Sequence, residues 1–162
     1  MKRQERKQVF NKMLLAEFDR RPDLKRSQKI YTVTRLVWVI FSLVYAALTV
    51  CLLVYTNNHG LIMSSLIIPV AALFCIYFLN DGIKGILFIT FFGGMFELFR
   101  GYLMFGTLQE NSGRVATAYV ICVIIQGMIT LGITLFMLLS HKIGAYLSCV
   151  KYINREINIG RY

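Results

Sequence analysis

Four long apolar stretches constrain the fold of this chain more than any other feature. These stretches are residues 36–56, 61–79, 83–105 and 115–139. A bilayer core of roughly 30 Å needs about 20 apolar residues in a helix, so each stretch is long enough to cross it. Only the third contains charged side chains, which are Lys84, Glu97 and Arg100. The pattern predicts an all-α fold, a four-helix transmembrane bundle.

Composition and pattern exclude the other classes of protein. Hydrophobic residues make up 57% of the 162 residues, charged residues only 16%, and the mean hydropathy is +0.60. These values do not describe a soluble enzyme or a disordered chain. Transmembrane β-strands alternate in polarity over about 10 residues, and these apolar runs do not. We expect residues 36–139 to form the bundle, and the two ends to form separate basic segments.

The distribution of basic residues predicts the orientation of the bundle. The 18 Lys and Arg exceed the eight Asp and Glu, for a net charge of +10. Eleven of the bases lie in residues 1–35 and four lie after Leu139, whereas the first and third turns together contain only Arg114. Cytoplasmic segments are enriched in Lys and Arg. With an even number of spans, both termini are therefore predicted to be cytoplasmic.

Both ends of the chain carry helical apolar patterns. In residues 1–35 a repeat of three or four residues is followed by Pro22, which should stop a helix. This repeat consists of Val9, Phe10, Met13, Leu14 and Phe18. Such an amphipathic helix can lie at the membrane interface near anionic lipid, or can pack on a protein partner, and both alternatives stay open. In the tail, residues 140–162, Ile143, Leu147, Val150 and Ile153 indicate a similar surface helix.

Polar side chains inside the apolar stretches define a candidate intramembrane site. A charge within a span costs several kcal/mol at least, so the presence of Glu97 and Arg100 in the third stretch requires an explanation. Their spacing of three residues allows the two side chains to form an ion pair. Gln126 should lie at the depth of Glu97 and could form a hydrogen bond with it. The complete candidate site is Glu97, Arg100, Gln126, Thr130, Tyr45 and Thr49. These groups can serve either as interhelical hydrogen bonds or as a site for lipid or solute.

Nothing in the sequence indicates catalysis. The four cysteines and two histidines lack the spacings of metal sites, and no nucleophile or acid pair is recognisable. We therefore predict no enzyme activity, no cofactor and no metal. Nucleic-acid binding is also not expected, because the basic ends lack a recognition motif.

Two segments resemble the lysosome-associated protein transmembrane (LAPTM) family of four-span proteins. The first is FFGGMFEL, residues 91–98, and the second is AYLSCVKYINR, residues 145–155. The resemblance implies residence in endosomal or lysosomal membranes, a role in trafficking of lipids or membrane proteins, and Glu97 as a lipid contact. The family's larger lumenal loops and proline-tyrosine motifs are missing, so recruitment of ubiquitin ligases is not implied.

The favoured function is that of a non-catalytic polytopic membrane protein that binds lipids or other membrane proteins, including copies of itself. The alternative is a small transport or channel subunit with Glu97 and Arg100 lining the path. If the resemblance does not hold, the expected location is a plasma membrane or a bacterial inner membrane.

Overall fold

The computed structural model describes residues 3–55, 59–108 and 114–160. Within these ranges it also describes the side chains, except those at positions 3, 53, 55, 59–69, 106–108, 114 and 115. Every regular element in this part of the chain is an α-helix. The helices are α1 (Arg3–Arg20), α2 (Pro22–Tyr55), α3 (His59–Asn80), α4 (Ile86–Leu108), α5 (Arg114–Leu139) and α6 (His141–Ile159). The all-α prediction is thus confirmed for the described residues.

Three helices contain segments long and apolar enough to cross a membrane. The segments are Pro22–Leu52, Ile86–Phe105 and Ala116–Leu139. In α3, the apolar segment among the described side chains is the shorter Val70–Asn80. These lengths are consistent with an integral, polytopic membrane protein.

Helices α2 to α5 form a closed ring in chain order. Each helix packs on the next one and α5 packs on α2, while the diagonal pairs make no close backbone contact within the described residues. The α4–α5 contact is the most extensive and the α3–α4 contact the least extensive of the ring. Helix α1 packs on α6, and Arg6 donates a hydrogen bond of 3.1 Å to Asn158. Helices α1 and α6, the first and last described helices, therefore lie together at one end of the ring, which we call the termini end.

A tight turn joins α3 to α4 at the termini end. Gly82 has a φ of +80°, and its N–H and that of Ile83 bond back to the carbonyls of Leu79 and Phe78, as in a Schellman motif. The predicted third span began at residue 83, but this turn delays α4 until Ile86. The first and third predicted turns lie largely outside the described residues.

The amphipathic face of α1 packs on other helices of the same chain, rather than on the membrane interface or the separate protein partner that the two alternatives proposed, and the position of α1 at the membrane interface stays a prediction. Leu14 is buried, and Val9, Phe10, Met13 and Phe18 pack against the same apolar cluster. Helices α6 and α2 supply the covering surface.

The tail helix α6 is an integral part of this cluster. Ser140 caps it, since its hydroxyl accepts from the N–H of Ile143 at 3.4 Å. Its apolar face is buried on α1, α2, α3 and α5. The buried residues are Ile143, Tyr146, Leu147, Val150, Ile153 and Ile157. The predicted helix is present, and its apolar side faces protein.

Polar groups of α2, α3, α6 and the α3–α4 turn meet at one level of the termini end. Arg35, the last charged residue of α2 before the uncharged run, donates to the side-chain oxygen of Asn80 at the end of α3. Just before α4, Lys84 donates to the hydroxyl of Ser148 in α6 at 2.8 Å. This level is where the apolar bundle gives way to polar surface.

Candidate intramembrane binding site

Glu97 occupies the middle of α4, eleven residues from each end of the helix. Its residue is 2% exposed, and its Oε2 lies 3.0 Å from Nη2 of Arg100, whose side chain is 19% exposed. The predicted ion pair is therefore present. Because a buried charge without a partner is very costly, the pair explains how a carboxylate is accommodated at this depth.

The ion pair borders a cleft of about 550 Å³ between α3, α4 and α5. Apart from Glu97, Arg100 and two threonines, the lining is apolar or small. The lining residues are Ala71, Ala72, Cys75, Ile89, Thr90, Phe92, Gly93, Gly94, Phe96, Glu97, Arg100 and Thr130. The cleft coincides with the α3–α4 seam, where the ring has its least extensive contact.

The outer wall of the cleft is aromatic. Phe92 and Phe96 lie one turn apart on α4, and they are 64% and 63% exposed on the bundle surface. Between them, a Cβ placed on Gly93 would meet no atom within 4 Å. The cleft is thus open beside the rings of Phe92 and Phe96. In a membrane, lipid hydrocarbon would surround these two exposed rings.

The side of α4 that faces α5 is closely packed. A Cβ on Gly94 would lie 3.0 Å from Leu131, one on Gly101 2.7 Å from Ile124, and one on Gly127 2.9 Å from Leu98. Small residues at such positions allow two helix backbones to approach closely. Gly94 and Gly101 therefore allow close packing of α4 on α5.

Gln126 has a different partner from the one predicted. Its Nε2 donates to Oγ1 of Thr130 at 3.5 Å, one turn along the same helix, and no bond from Gln126 to Glu97 is found among the described residues. A neighbour on its own helix is always within reach, whereas the Glu97 carboxylate is turned to Arg100. Thr130 is a member of the cleft lining.

Tyr45 and Thr49 belong to a polar face of α2 inside the ring. Both are buried, and Tyr45 is close enough to Glu97 and Arg100 to interact with them electrostatically. The Tyr45 hydroxyl lies beside that of Thr49, but neither has a partner at hydrogen-bond geometry. They do not line the cleft, so the six predicted residues form two neighbouring groups.

Sequence reasoning missed the contribution of α3 to the site. Ala71, Ala72 and Cys75 form the wall that faces the ion pair. Cys75 is not among the predicted site residues, because no strongly polar side chain marks this wall. The usable signal was the pair of alanines one turn before Cys75, which leaves room along one face of an otherwise bulky helix.

No group of three or more His, Cys, Asp or Glu in the described part of the chain could hold a metal ion. No protein-family model, curated protein or solved structure matches the chain. The resemblance to the LAPTM family therefore stays a prediction.

Proposed function

We propose that this chain is a non-catalytic, four-span membrane protein that binds a lipid or a similar apolar molecule in the cleft between α3 and α4. In this proposal the Glu97–Arg100 pair contacts the polar group of the ligand. The observation that carries the proposal is that the only ion pair in the described bundle core faces a cleft.

The fourth span in this proposal is α3. The helix has 22 residues, and residues 61–79 of its sequence contain no charge. It returns from the far end of α2 to Asn80 at the termini end, where Asn80 meets Arg35. A helix of about 20 apolar residues is sufficient to cross the hydrocarbon core.

The dimensions and chemistry of the cleft suit an apolar ligand with a small polar group. Ligand pockets commonly measure roughly 300–1,000 Å³ and combine apolar walls with few polar contacts. Beside this cleft the buried atoms Glu97 Oε2 and Arg100 Nε and Nη2 have no partner at hydrogen-bond geometry, although Oε2 and Nη2 are 3.0 Å apart. Since the two charges neutralise each other, a neutral hydroxyl or amide is the complementary group.

The remaining parts of the proposal follow from charge and resemblance. The positive-inside rule places the termini end, with its bases, in the cytoplasm. Endosomal or lysosomal residence and a role in trafficking are proposed from the LAPTM resemblance. Other membrane proteins, or further copies of this chain, are proposed as partners on the exposed apolar surface.

One observation favours a transport or channel subunit as the second candidate function. Trp38 Nε1, Ser42 Oγ, Tyr45 OH and Thr49 Oγ1 are buried along one face of α2 and have no hydrogen-bond partner among the described residues. This face leads from the termini end toward Glu97. A path for protons or ions would depend on these groups, so Tyr45→Phe should abolish transport without affecting a ligand held in the cleft.

The proposal can be tested by native mass spectrometry of the protein released from gentle detergent. Gly93→Leu should fill the cleft and remove co-purifying lipid, because space is open at this position. Gly132→Leu is the matched control, since it also meets open space but lies outside the lining. Equal lipid retention by wild type and both variants would contradict the proposal.

A further inference from the structure

A second, polar cavity of about 260 Å³ lies at the termini end, separate from the cleft. Helices α1, α2, α3 and α6 all contribute to its walls. Its lining is Phe10, Gln28, Tyr31, Thr32, Arg35, Leu79, Asn80, Tyr146 and Val150. Arg35 is the only charged residue in this lining, so the cavity has a net positive charge.

The guanidinium of Arg35 is held in place but is not neutralised. Nη1 donates to the Asn80 oxygen, and the group stacks over the Tyr31 ring at 5.8 Å from its centroid. The Tyr31 ring in turn lies 5.3 Å from that of Tyr146. Among the described residues Arg35 forms no ion pair, and a guanidinium has five donors. A positioned arginine with unused donors is suited to a phosphate group.

The cavity also has the depth that a lipid headgroup requires. Arg35 directly precedes the uncharged run of α2, and Asn80 directly follows that of α3. Leu79 and Val150 add apolar surface beside the polar groups. A ligand bound here would have its phosphate at the polar boundary and its chains beside the bundle.

The adjoining cavity extends the positive surface. It shares Phe10 and Asn80 with the cavity around Arg35. It adds Arg6 and Lys7, and Asp81 is the one acidic residue in its lining. Free phosphate would bind only in the cavity around Arg35, whereas a larger anionic headgroup could also reach Arg6 and Lys7 in the adjoining cavity.

We infer that the cavity around Arg35 binds the phosphate of an anionic phospholipid headgroup from the leaflet at the termini end. Arg35 supplies the charged donors, with Gln28 and Thr32 beside it. This inference does not depend on a ligand in the α3–α4 cleft, so Glu97 and Gly93 variants should retain this binding.

The test measures thermal melting of the full-length protein in non-ionic detergent during titration with dioctanoyl phosphatidylglycerol. The lipid should raise the melting temperature saturably, while dioctanoyl phosphatidylcholine and inorganic phosphate should have much smaller effects. Arg35→Gln should weaken the apparent affinity roughly tenfold to a hundredfold, as expected for loss of a charged hydrogen bond. Arg26→Gln is the control, because Arg26 is exposed on the same helix and lies outside both cavities.

Thr32→Asp provides a second test that does not remove the Arg35–Asn80 contact. Thr32 is exposed, so the fold should tolerate the change, and the new carboxylate would lie one turn from Arg35. Binding should then be lost with ligand-free melting preserved. Unchanged phosphatidylglycerol binding in both Arg35→Gln and Thr32→Asp would overturn the inference. A loss of affinity in Arg26→Gln equal to that in Arg35→Gln would also overturn it. Equal stabilisation by inorganic phosphate would overturn the lipid assignment.

Discussion

Gly93 and Gly94 are neighbours in α4, yet their surroundings are opposite. Both line the cleft, but Gly93 has open space where a Cβ would stand, while a Cβ on Gly94 would lie against Leu131 of α5. The α4–α5 seam is closely packed, and the α3–α4 seam contains the cleft and the Glu97–Arg100 pair. The comparison shows that a glycine gives close packing between two helices only if a side chain of the facing helix fills the space beside it.

The largest expected effect comes from separating the buried ion pair. Glu97→Gln leaves Arg100 buried without its partner and should cost roughly 3–5 kcal/mol of unfolding free energy. Changing Arg100 to Gln as well should recover much of this loss. The measurement is unfolding by SDS titration in mixed micelles.

The matched control for the ion pair is Glu17→Gln in α1. Glu17 pairs with Arg20 at the same spacing of three residues, but the Arg20 side chain is 77% exposed. An exposed pair contributes only about 0–1 kcal/mol. Similar losses in the Glu97 and Glu17 variants would show that the cleft pair is no more buried than a surface pair.

A second closed seam joins the α3–α4 turn to α6. A Cβ on Gly82 would lie 2.6 Å from the Leu147 carbonyl oxygen, whereas Gly160 has a similar positive φ but open space. Both alanine variants carry the left-handed strain of about 1–2 kcal/mol. Gly82→Ala should lose roughly 1–3 kcal/mol more than Gly160→Ala, because of the clash. Equal melting temperatures of the two variants would place α6 further from the turn.

The α4–α5 seam can be probed by two alanine substitutions in one helix. Gly127→Ala brings a methyl group against Leu98 and should destabilise by roughly 1–3 kcal/mol. Gly132→Ala meets open space and should be neutral or slightly stabilising. SDS titration of both proteins measures the difference, and a neutral Gly127→Ala would mean that this seam is not closely packed.

The smallest expected effect is on the reactivity of the Cys149 thiol, which lies in the seam between α1 and α6. Burial raises the pKa of the Cys149 thiol, Glu17 raises it further, and Arg21 partly offsets this. Because the thiolate reacts, labelling by N-ethylmaleimide at pH 8 should be slower than that of a free thiol and should still rise above pH 9. Leu14→Ala should loosen the seam and speed the reaction. An ordinary rate in the intact protein would contradict the α1–α6 packing.

The sequence predicted much of the fold because apolar length and charge are local properties. It indicated the helices, the stop before Pro22 and the pairing of Glu97 with Arg100, which are three residues apart. It could not predict that Val9 and Phe18 would be covered by other helices of the chain, since that depends on contacts distant in sequence. The place of Cys75 in the cleft wall was missed for the same reason, whereas the partner of Gln126 is the local Thr130, and only the predicted long-range contact with Glu97 failed.

The most direct test of the account is to map where a photoreactive lipid labels the intact protein. With a diazirine-bearing acyl chain, labelling at Ala72, Cys75 and Thr90 should saturate and be competed by unlabelled lipid. These residues are buried but line the cleft, whereas Val123 is buried beside the α4–α5 seam and should remain unlabelled. Saturable labelling confined to the cleft is the predicted result. Absence of label from the cleft residues, or equal labelling of Val123, would contradict the contrast between an open and a closed seam.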